Sequence, residues 1–182
     1  IGETTFYEYV AALKKLFVIQ DIEAWCPAIR SKSSIQSGNK REFVDPSLVV
    51  SALGVEPDYF NLDLKTFGFI FETLCIRDLK IYSNALGGRV SYYRDRYGLE
   101  ADCVLHLRDG KYALIEFKLG SSEIDEGAKH LNEIEKLVEE YYKTEKQCLL
   151  RAPDLKIVIT GTQYGYKRPD GVYVVPIGCL RD

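Results

Sequence analysis

The chain has 182 residues, of which 46% are hydrophobic, 12% aromatic and 28% charged, and its formal net charge is −3. This composition is typical of a globular protein with an ordinary core, and it excludes disordered and collagen-like chains and a general nucleic-acid coat protein. No apolar stretch reaches the roughly 20 residues that a membrane-spanning helix requires, so we expect no membrane partner.

The N-terminal third is predicted to form a helix, a hairpin and a second helix. The first helix begins near Thr5, the hairpin has a long polar tip, and its second strand includes Arg41 to Val44. Asp45 before Pro46 is a typical helix start, and Gly54 is a typical helix end. This order predicts a winged-helix-like module over residues 1–56.

Residues 57–182 are predicted to form a second unit with the order α-β-β-β-α-β-β. Its long helix begins after Asp63 and ends at Gly87-Gly88, and its second helix runs from Ser122 to about Lys143. The strands are predicted at 89–94, 99–107, 111–119, 155–160 and 171–176. The fold class is therefore α/β (α+β) with a mixed sheet.

The segment from Ala113 to Leu119 contains the motif Glu116-Phe117-Lys118. Because side chains alternate on a strand, Glu116 and Lys118 share one face. The plain alternative is an amphipathic strand whose face with Glu116 and Lys118 is wet, although Leu114 on that face is apolar.

The preceding strand contains Asp102, and the turn between the two strands decides where its side chain lies. A two-residue turn at Asp109-Gly110 would put Asp102 and Glu116 on opposite faces. A three-residue turn from Arg108, with Gly110 left-handed, would place Asp102 opposite Glu116. Both turns suit the sequence, and the proposed chemistry favours the second.

Glu72 lies in a helix that is apolar on nearly all sides. An ionised carboxylate is costly there unless it is paired or binds a cation, and the alternative partner is an arginine such as Arg94. Together with Asp102 and Glu116 it supplies three carboxylates, which suit a hard divalent cation such as Mg²⁺ or Mn²⁺. Lys118 would orient or help to deprotonate a water that attacks a phosphodiester.

At this point the sequence resembles the PD-(D/E)XK nuclease superfamily, whose restriction-endonuclease-like core has the order α-β-β-β-α-β. More narrowly it resembles a domain of unknown function that follows the ATPase module in bacterial and archaeal AAA+-type ATPases. The stretches that carry the narrower resemblance lie at 30–33, 43–48, 66–72, 93–95, 98–102, 116–121, 160–162 and 168–173.

The resemblance implies that Asp102, Glu116 and Glu72 are the metal-binding acids and that Lys118 is the catalytic lysine. Ala101 stands where the superfamily name has proline. No G-x-x-x-x-G-K-[ST] motif occurs, so we expect no nucleotide site in this chain. Because the chain begins with Ile1 and contains no Met, we expect a piece of a longer protein whose ATPase module is missing here.

Basic residues near the hairpin tip and near the predicted site are candidate contacts to DNA phosphates. They are Arg30, Lys32, Lys40, Arg41, Arg94 and Arg96. The alternatives are a solvated polar loop for the first four and pairing of Arg94 with Glu100 or Glu72.

The sequence therefore predicts a Mg²⁺-dependent deoxyribonuclease module of an AAA+-type ATPase, with DNA as its partner and a homo-oligomer possible. The alternatives are a catalytically silent nuclease-like domain that docks nucleic acid or protein, and a purely structural oligomerisation domain. Five scattered cysteines without C-x-x-C spacing indicate reduced thiols, most of them in the core, and a cytoplasmic location.

Overall fold

The structure is a computed structural model that describes residues 2–25, 27, 38–144 and 150–181. The described helices are α1 (Glu3–Lys15), α2 (Pro46–Leu53), α3 (Leu64–Ser83) and α4 (Ile124–Thr144). The strands are β1 (Ile19–Ile22), β2 (Lys40–Phe43), β3 (Arg89–Arg94), β4 (Glu100–His106), β5 (Tyr112–Lys118), β6 (Leu155–Thr160), β7 (Tyr166–Lys167) and β8 (Tyr173–Pro176). The predicted order is confirmed, with β7 as an additional short strand.

Strands β3 to β8 form one six-stranded mixed sheet in the order β3-β4-β5-β6-β8-β7. The first three strands are antiparallel, β5, β6 and β8 run parallel, and β7 returns antiparallel to β8. The parallel step from β5 to β6 requires a crossover, which α4 supplies. The predicted α/β fold class with a mixed sheet is confirmed.

The core has two layers, one on each face of this sheet. On one face α4 packs its apolar stripe, including Leu131 and Ile134, against Leu114 and Val158. On the other face α3 packs Phe71, Cys75 and Ile76 against the alternate residues of β4 and β5. Both faces of β5 are therefore covered by helices. The alternative, an amphipathic strand with one solvent-exposed face, is wrong.

Helix ends follow the local signals. The Asp45 carboxylate accepts the backbone N–H of Ser47 at 2.8 Å at the start of α2, and Gly54 ends that helix in the left-handed region. Asp63 accepts the N–H of Thr66 at 3.1 Å at the start of α3. Pro57–Asn61 forms a 3₁₀ turn that buries Phe60.

The segment before α3 contacts the sheet directly. Strands β1 and β2 pair antiparallel, and Ala24 forms an isolated bridge with Tyr92 of β3. Helix α1 buries only Val10, while its Phe6 and Leu13 stay exposed. The helix-hairpin-helix order is present, and the division into modules 1–56 and 57–182 stays a prediction. None of the helices in the described ranges is long and apolar enough to cross a membrane.

Of the cysteines within the described ranges, Cys75 and Cys103 are buried free thiols and Cys179 is exposed. The expected core placement is confirmed for the first two, and it is wrong for Cys179, which lies in a short turn after the last strand. Cys26 and Cys148 lie outside the described residues.

Candidate functional site

The β4–β5 hairpin has the three-residue turn. Its ladder runs from His106 opposite Tyr112 to Cys103 opposite Ile115, and the next position sets Asp102 across from Glu116. Gly110 has a φ of 83°, in the left-handed region that glycine adopts at little cost. The register that the proposed chemistry favoured is the one the chain adopts.

Asp102 lies where β4 departs from a regular ladder. Ser91 pairs with Val104 and Tyr93 pairs with Ala101, so two β4 residues, Asp102 and Cys103, lie opposite one residue of β3. Such a bulge re-aims side chains. The Asp102 Oδ2 accepts the backbone N–H of Phe117 at 2.8 Å, which ties it to the centre of the Glu116-Phe117-Lys118 motif.

The carboxyl of Asp102 is strongly affected by burial and by neighbouring charges. Burial raises the pKa of its carboxyl well above the ordinary value, and the negative charges of Glu116 and Glu72 raise it further. The hydrogen bond from Phe117 N–H and the positive charge of Lys40 oppose this shift. Asp102 is therefore electrostatically coupled to both of the other predicted acids.

Glu116 lies beneath the surface of the site. Its side chain is 1% exposed, and its Oε2 is 3.2 Å from the Lys118 Nζ. The imidazole Nδ1 of His130, on α4, is 3.4 Å from the Glu116 Oε1. The approach of α4 is close because Gly127 faces the motif: a Cβ there would be 3.2 Å from the Lys118 Cε and 3.3 Å from the Glu116 Cβ.

These contacts shift the pKa values of both basic partners. Burial alone would lower the pKa of Lys118, but the Glu116 and Asp102 carboxylates raise it above its ordinary value. The hydrogen-bonding Glu116 carboxylate raises the pKa of His130, against the effect of burial. Lys118 is therefore an ammonium at neutral pH.

Two grooves meet at Glu72 and Asp102. The hairpin groove, about 530 Å³, lies between β2, α2, α3 and the ends of β3 and β4, and its lining includes Lys40, Glu42 and Arg94. The motif groove, about 700 Å³, lies between the start of α3 and the end of β5, and Lys118 lines it. Glu72 and Asp102 line both grooves. Three of the four predicted catalytic residues thus share one surface, and Glu116 supports it from below.

Among the described residues, Glu72 forms its ion pair with Lys40 and not with an arginine. Its Oε1 accepts a hydrogen bond from the Lys40 ammonium, which also lies 3.5 Å from the Glu42 Oε1. Burial raises the pKa of Glu42, and the Glu72 charge raises it further. Glu42 was not predicted as a site residue, because only a long-range contact between β2 and α3 brings it near Glu72.

The four predicted DNA-binding residues that the structure describes, Lys40, Arg41, Arg94 and Arg96, make separate contacts. Arg94 Nε is 3.5 Å from the Glu100 Oε2, at the rim of the hairpin groove. Arg96 lies over the Tyr97 ring at 5.0 Å, and Arg41 lies over the Phe6 ring at 5.7 Å. The Lys40 ammonium contacts the carboxylates of Glu72 and Glu42. Arg30 and Lys32 lie outside the described residues.

The three acids offer carboxylate oxygens, the donors that Mg²⁺ and Mn²⁺ prefer. The buried Glu116 Oε1 faces the His130 Nδ1 at 3.4 Å, so a cation at this oxygen would have to share it with the imidazole. Across the part of the chain that the structure describes, no three His, Cys, Asp or Glu side chains are close enough to hold one metal ion. The donors thus suit a hard cation in type, while Lys40 neutralises Glu72 in the arrangement as it stands.

No curated protein and no solved structure matches the chain. One family model does match, that of a domain of unknown function called DUF4143, over residues 67–180. The match includes α3 from Phe67 onward and the whole six-stranded sheet, with Glu72, Asp102, Glu116 and Lys118. The chain belongs to the DUF4143 family.

Proposed function

We propose that this chain is a nuclease-like module of an AAA+-type ATPase, which hydrolyses phosphodiester bonds in DNA with Mg²⁺ or Mn²⁺ in the cytoplasm. The observation that carries the proposal is the position of Asp102. Its carboxyl has a raised pKa, it is coupled to Glu116 and Glu72, and it shares an open groove with the Lys118 ammonium. Clustered acids of this kind are typical of functional sites.

Asp102, Glu72 and Glu116 are the residues that would hold the cation, and binding would require their side chains to move closer together than they lie in the structure. When bound, the cation would supply Lewis-acid stabilisation of the charge that develops on the phosphate. The chain's own contribution starts from Lys118, whose raised pKa keeps it protonated. Lys118 therefore acts by donating hydrogen bonds to a phosphate oxygen or to the attacking water, rather than by accepting a proton.

Glu116 positions that ammonium. The 3.2 Å contact between its Oε2 and the Lys118 Nζ restrains a long flexible side chain, and His130 restrains Glu116 from the opposite side. Gly127 permits this packing, since any larger residue would press on both members of the motif. The Lys118 ammonium is therefore restrained at the wall of the motif groove.

A second function is a catalytically silent domain that docks nucleic acid or protein. One observation favours it: the Lys40 ammonium forms an ion pair with Glu72. An acid already neutralised by a lysine of the same chain has less need of a metal. The two functions differ in whether any DNA strand is cut.

The discriminating experiment is a cleavage assay on supercoiled plasmid and on branched DNA, with millimolar Mg²⁺ or Mn²⁺. We expect the wild-type chain to nick DNA and Lys118→Met to lose the activity. The matched control is Lys143→Met, at an exposed position in the last turn of α4. Absence of cleavage by the wild type on every substrate, together with salt-sensitive DNA binding, would favour the silent domain.

A further inference from the structure

Lys40 is the only described lysine or arginine whose ammonium or guanidinium forms an ion pair with Glu72. Its Nζ hydrogen-bonds the Glu72 Oε1 and lies 3.5 Å from the Glu42 Oε1. The acid side chains are 14% and 10% exposed, so this ion cluster is shielded from water on most sides. Charges shielded in this way interact more strongly than charges on an open surface.

The electrostatics of Lys40 show how strongly the acids hold it. Burial alone would lower its pKa, yet the charge and hydrogen bond of Glu72, followed by the charges of Asp102 and Glu42, raise that pKa above the ordinary value. Lys40 therefore stays protonated, and its positive charge in turn lowers the pKa of Asp102. It is the cation that the acids now share.

The hairpin aims Lys40 at this position. Lys40 pairs with Ile22 and Glu42 pairs with Gln20, so Lys40 and Glu42 project to the same side of the two-stranded ladder. Glu42 on that side accepts a hydrogen bond from the Thr73 hydroxyl at 3.2 Å, which fixes the hairpin against α3. Arg41, between them, projects the other way, over the Phe6 ring.

We propose that Lys40 is the built-in counter-cation of the acid cluster and competes with a divalent cation for Glu72. This inference rests on the proposed function, because the competing cation is the one assigned there to Asp102 and Glu72. The ammonium and a divalent cation carry the same sign and use the same carboxylate oxygen, so each weakens the other. Metal uptake then requires the Lys40 side chain to withdraw from Glu72.

The test is a calorimetric titration of the metal-free chain with MnCl₂, supported by thermal melts at each Mn²⁺ concentration. We expect Lys40→Met, which removes the charge and keeps a long apolar stem, to bind Mn²⁺ at least about tenfold more tightly than the wild type. Arg41→Met, the neighbour that contacts no acid of the cluster, should bind as the wild type does. Adding Glu72→Gln to Lys40→Met should remove the gain.

Equal Mn²⁺ affinity in Lys40→Met and the wild type would overturn the inference. An increase in Mn²⁺ affinity in Arg41→Met as large as that in Lys40→Met would also overturn it, because the loss of any nearby surface charge would then explain the effect. If removal of the charge unfolds the chain, Lys40→Gln is titrated as well. Refolding of either variant by Mn²⁺ supports competition, and failure of both to refold contradicts it.

The cleavage assay separates this inference from the proposed function. Tighter Mn²⁺ binding by Lys40→Met, with no cleavage by either protein, would retain the counter-cation and reject the nuclease. Cleavage by the wild type, with unchanged Mn²⁺ affinity in Lys40→Met, would support the nuclease and reject the counter-cation role of Lys40.

Discussion

The Asp102 Oδ2 accepts a 2.8 Å hydrogen bond from the backbone N–H of Phe117, the residue between Glu116 and Lys118. This bond crosses from β4 to β5 just beyond the pair Cys103 with Ile115, which ends their ladder. It fixes the carboxylate beside the motif although its charge is repelled by two other acids. Asp102 is thus held where its ionised form is costly.

This cost predicts that Asp102→Asn stabilises the metal-free protein at neutral pH. The amide oxygen can still accept the Phe117 N–H, and the charge is gone. Because the folded-state pKa of Asp102 lies above the unfolded value, ionisation disfavours folding as pH rises through the folded pKa. We expect the free energy of unfolding at pH 7 to rise by about 1 kcal/mol, the usual size of a single-substitution effect.

Urea unfolding at several pH values, with EDTA present, measures this gain. It should fade towards an acidic pH below the ordinary Asp pKa of about 3.9, where both states of the wild type are protonated. Asp58→Asn, at an exposed position, is the matched control. A loss of stability at pH 7 would show that the carboxylate charge is favourable and that the acids do not repel.

A divalent cation should relieve the same repulsion. We expect millimolar Mg²⁺ or Mn²⁺ to raise the melting temperature of the wild type by about 3 °C or more, as binding to the folded state alone requires. Asp102→Asn should lose most of this rise, while Asp58→Asn should keep it. Identical melting of wild type and Asp102→Asn with and without metal would favour the silent domain.

Lys118 should affect turnover far more than DNA affinity. In the proposed mechanism it acts on the water or on the phosphate, so Lys118→Ala should reduce cleavage by about two orders of magnitude or more. One phosphate contact among several changes binding only modestly. Single-turnover kinetics and fluorescence anisotropy on the same oligonucleotide measure the two effects, and parallel losses in both would contradict the assigned role.

Removal of Arg30 and Lys32 should have the opposite effect. These residues belong to the basic run predicted from the sequence, and their loss should weaken DNA binding and flatten its salt dependence while the bound complex still cleaves. Anisotropy titrations over a range of salt concentrations give the slope. An unchanged slope would reject these two residues as phosphate contacts.

His130 should stabilise the fold in a pH-dependent way. Its folded-state pKa is raised by Glu116, so its contribution is fully present below the unfolded pKa of about 6.5 and is lost as pH rises through the folded value. We therefore expect His130→Gln to cost more stability at pH 5.5 than at pH 8.5. Chemical denaturation at both pH values measures the difference, and a pH-independent cost would mean that His130 contributes through packing alone.

Local signals in the sequence determined the elements and their order. Asp45-Pro46 and Asp63 begin helices where predicted, because capping depends on side chains only a few residues away. Helix α3 itself ends at Ser83, and Gly87 ends the 3₁₀ turn Asn84–Leu86 that follows it. The two-residue strand β7 was missed, since a pair of residues has no periodicity to detect. The pairing of Glu116 with Lys118 on one face was also predictable, because strand alternation is local.

The register of the β4–β5 hairpin could be predicted from the sequence only in part. Two turns suited Asp109-Gly110, and the preference for one came from the chemistry it would allow. The three-residue turn buries Leu114 against α4 and Ile115 against α3, whereas a slip by one residue would exchange these faces. Packing on both faces of the sheet selects the register.

Only the tertiary structure decided how each acid is neutralised. Alternation along β5 could not reveal that α4 covers Glu116 with His130, nor that Gly127 opens the space for Lys118. Lys40 pairs with Glu72, which lies 32 residues further along the chain, and the same ammonium contacts Glu42. The sequence by itself determined which charged residues the protein has and on which elements they lie. Their partners depend on contacts between distant elements, because charges interact through space and burial is a property of the assembled layers.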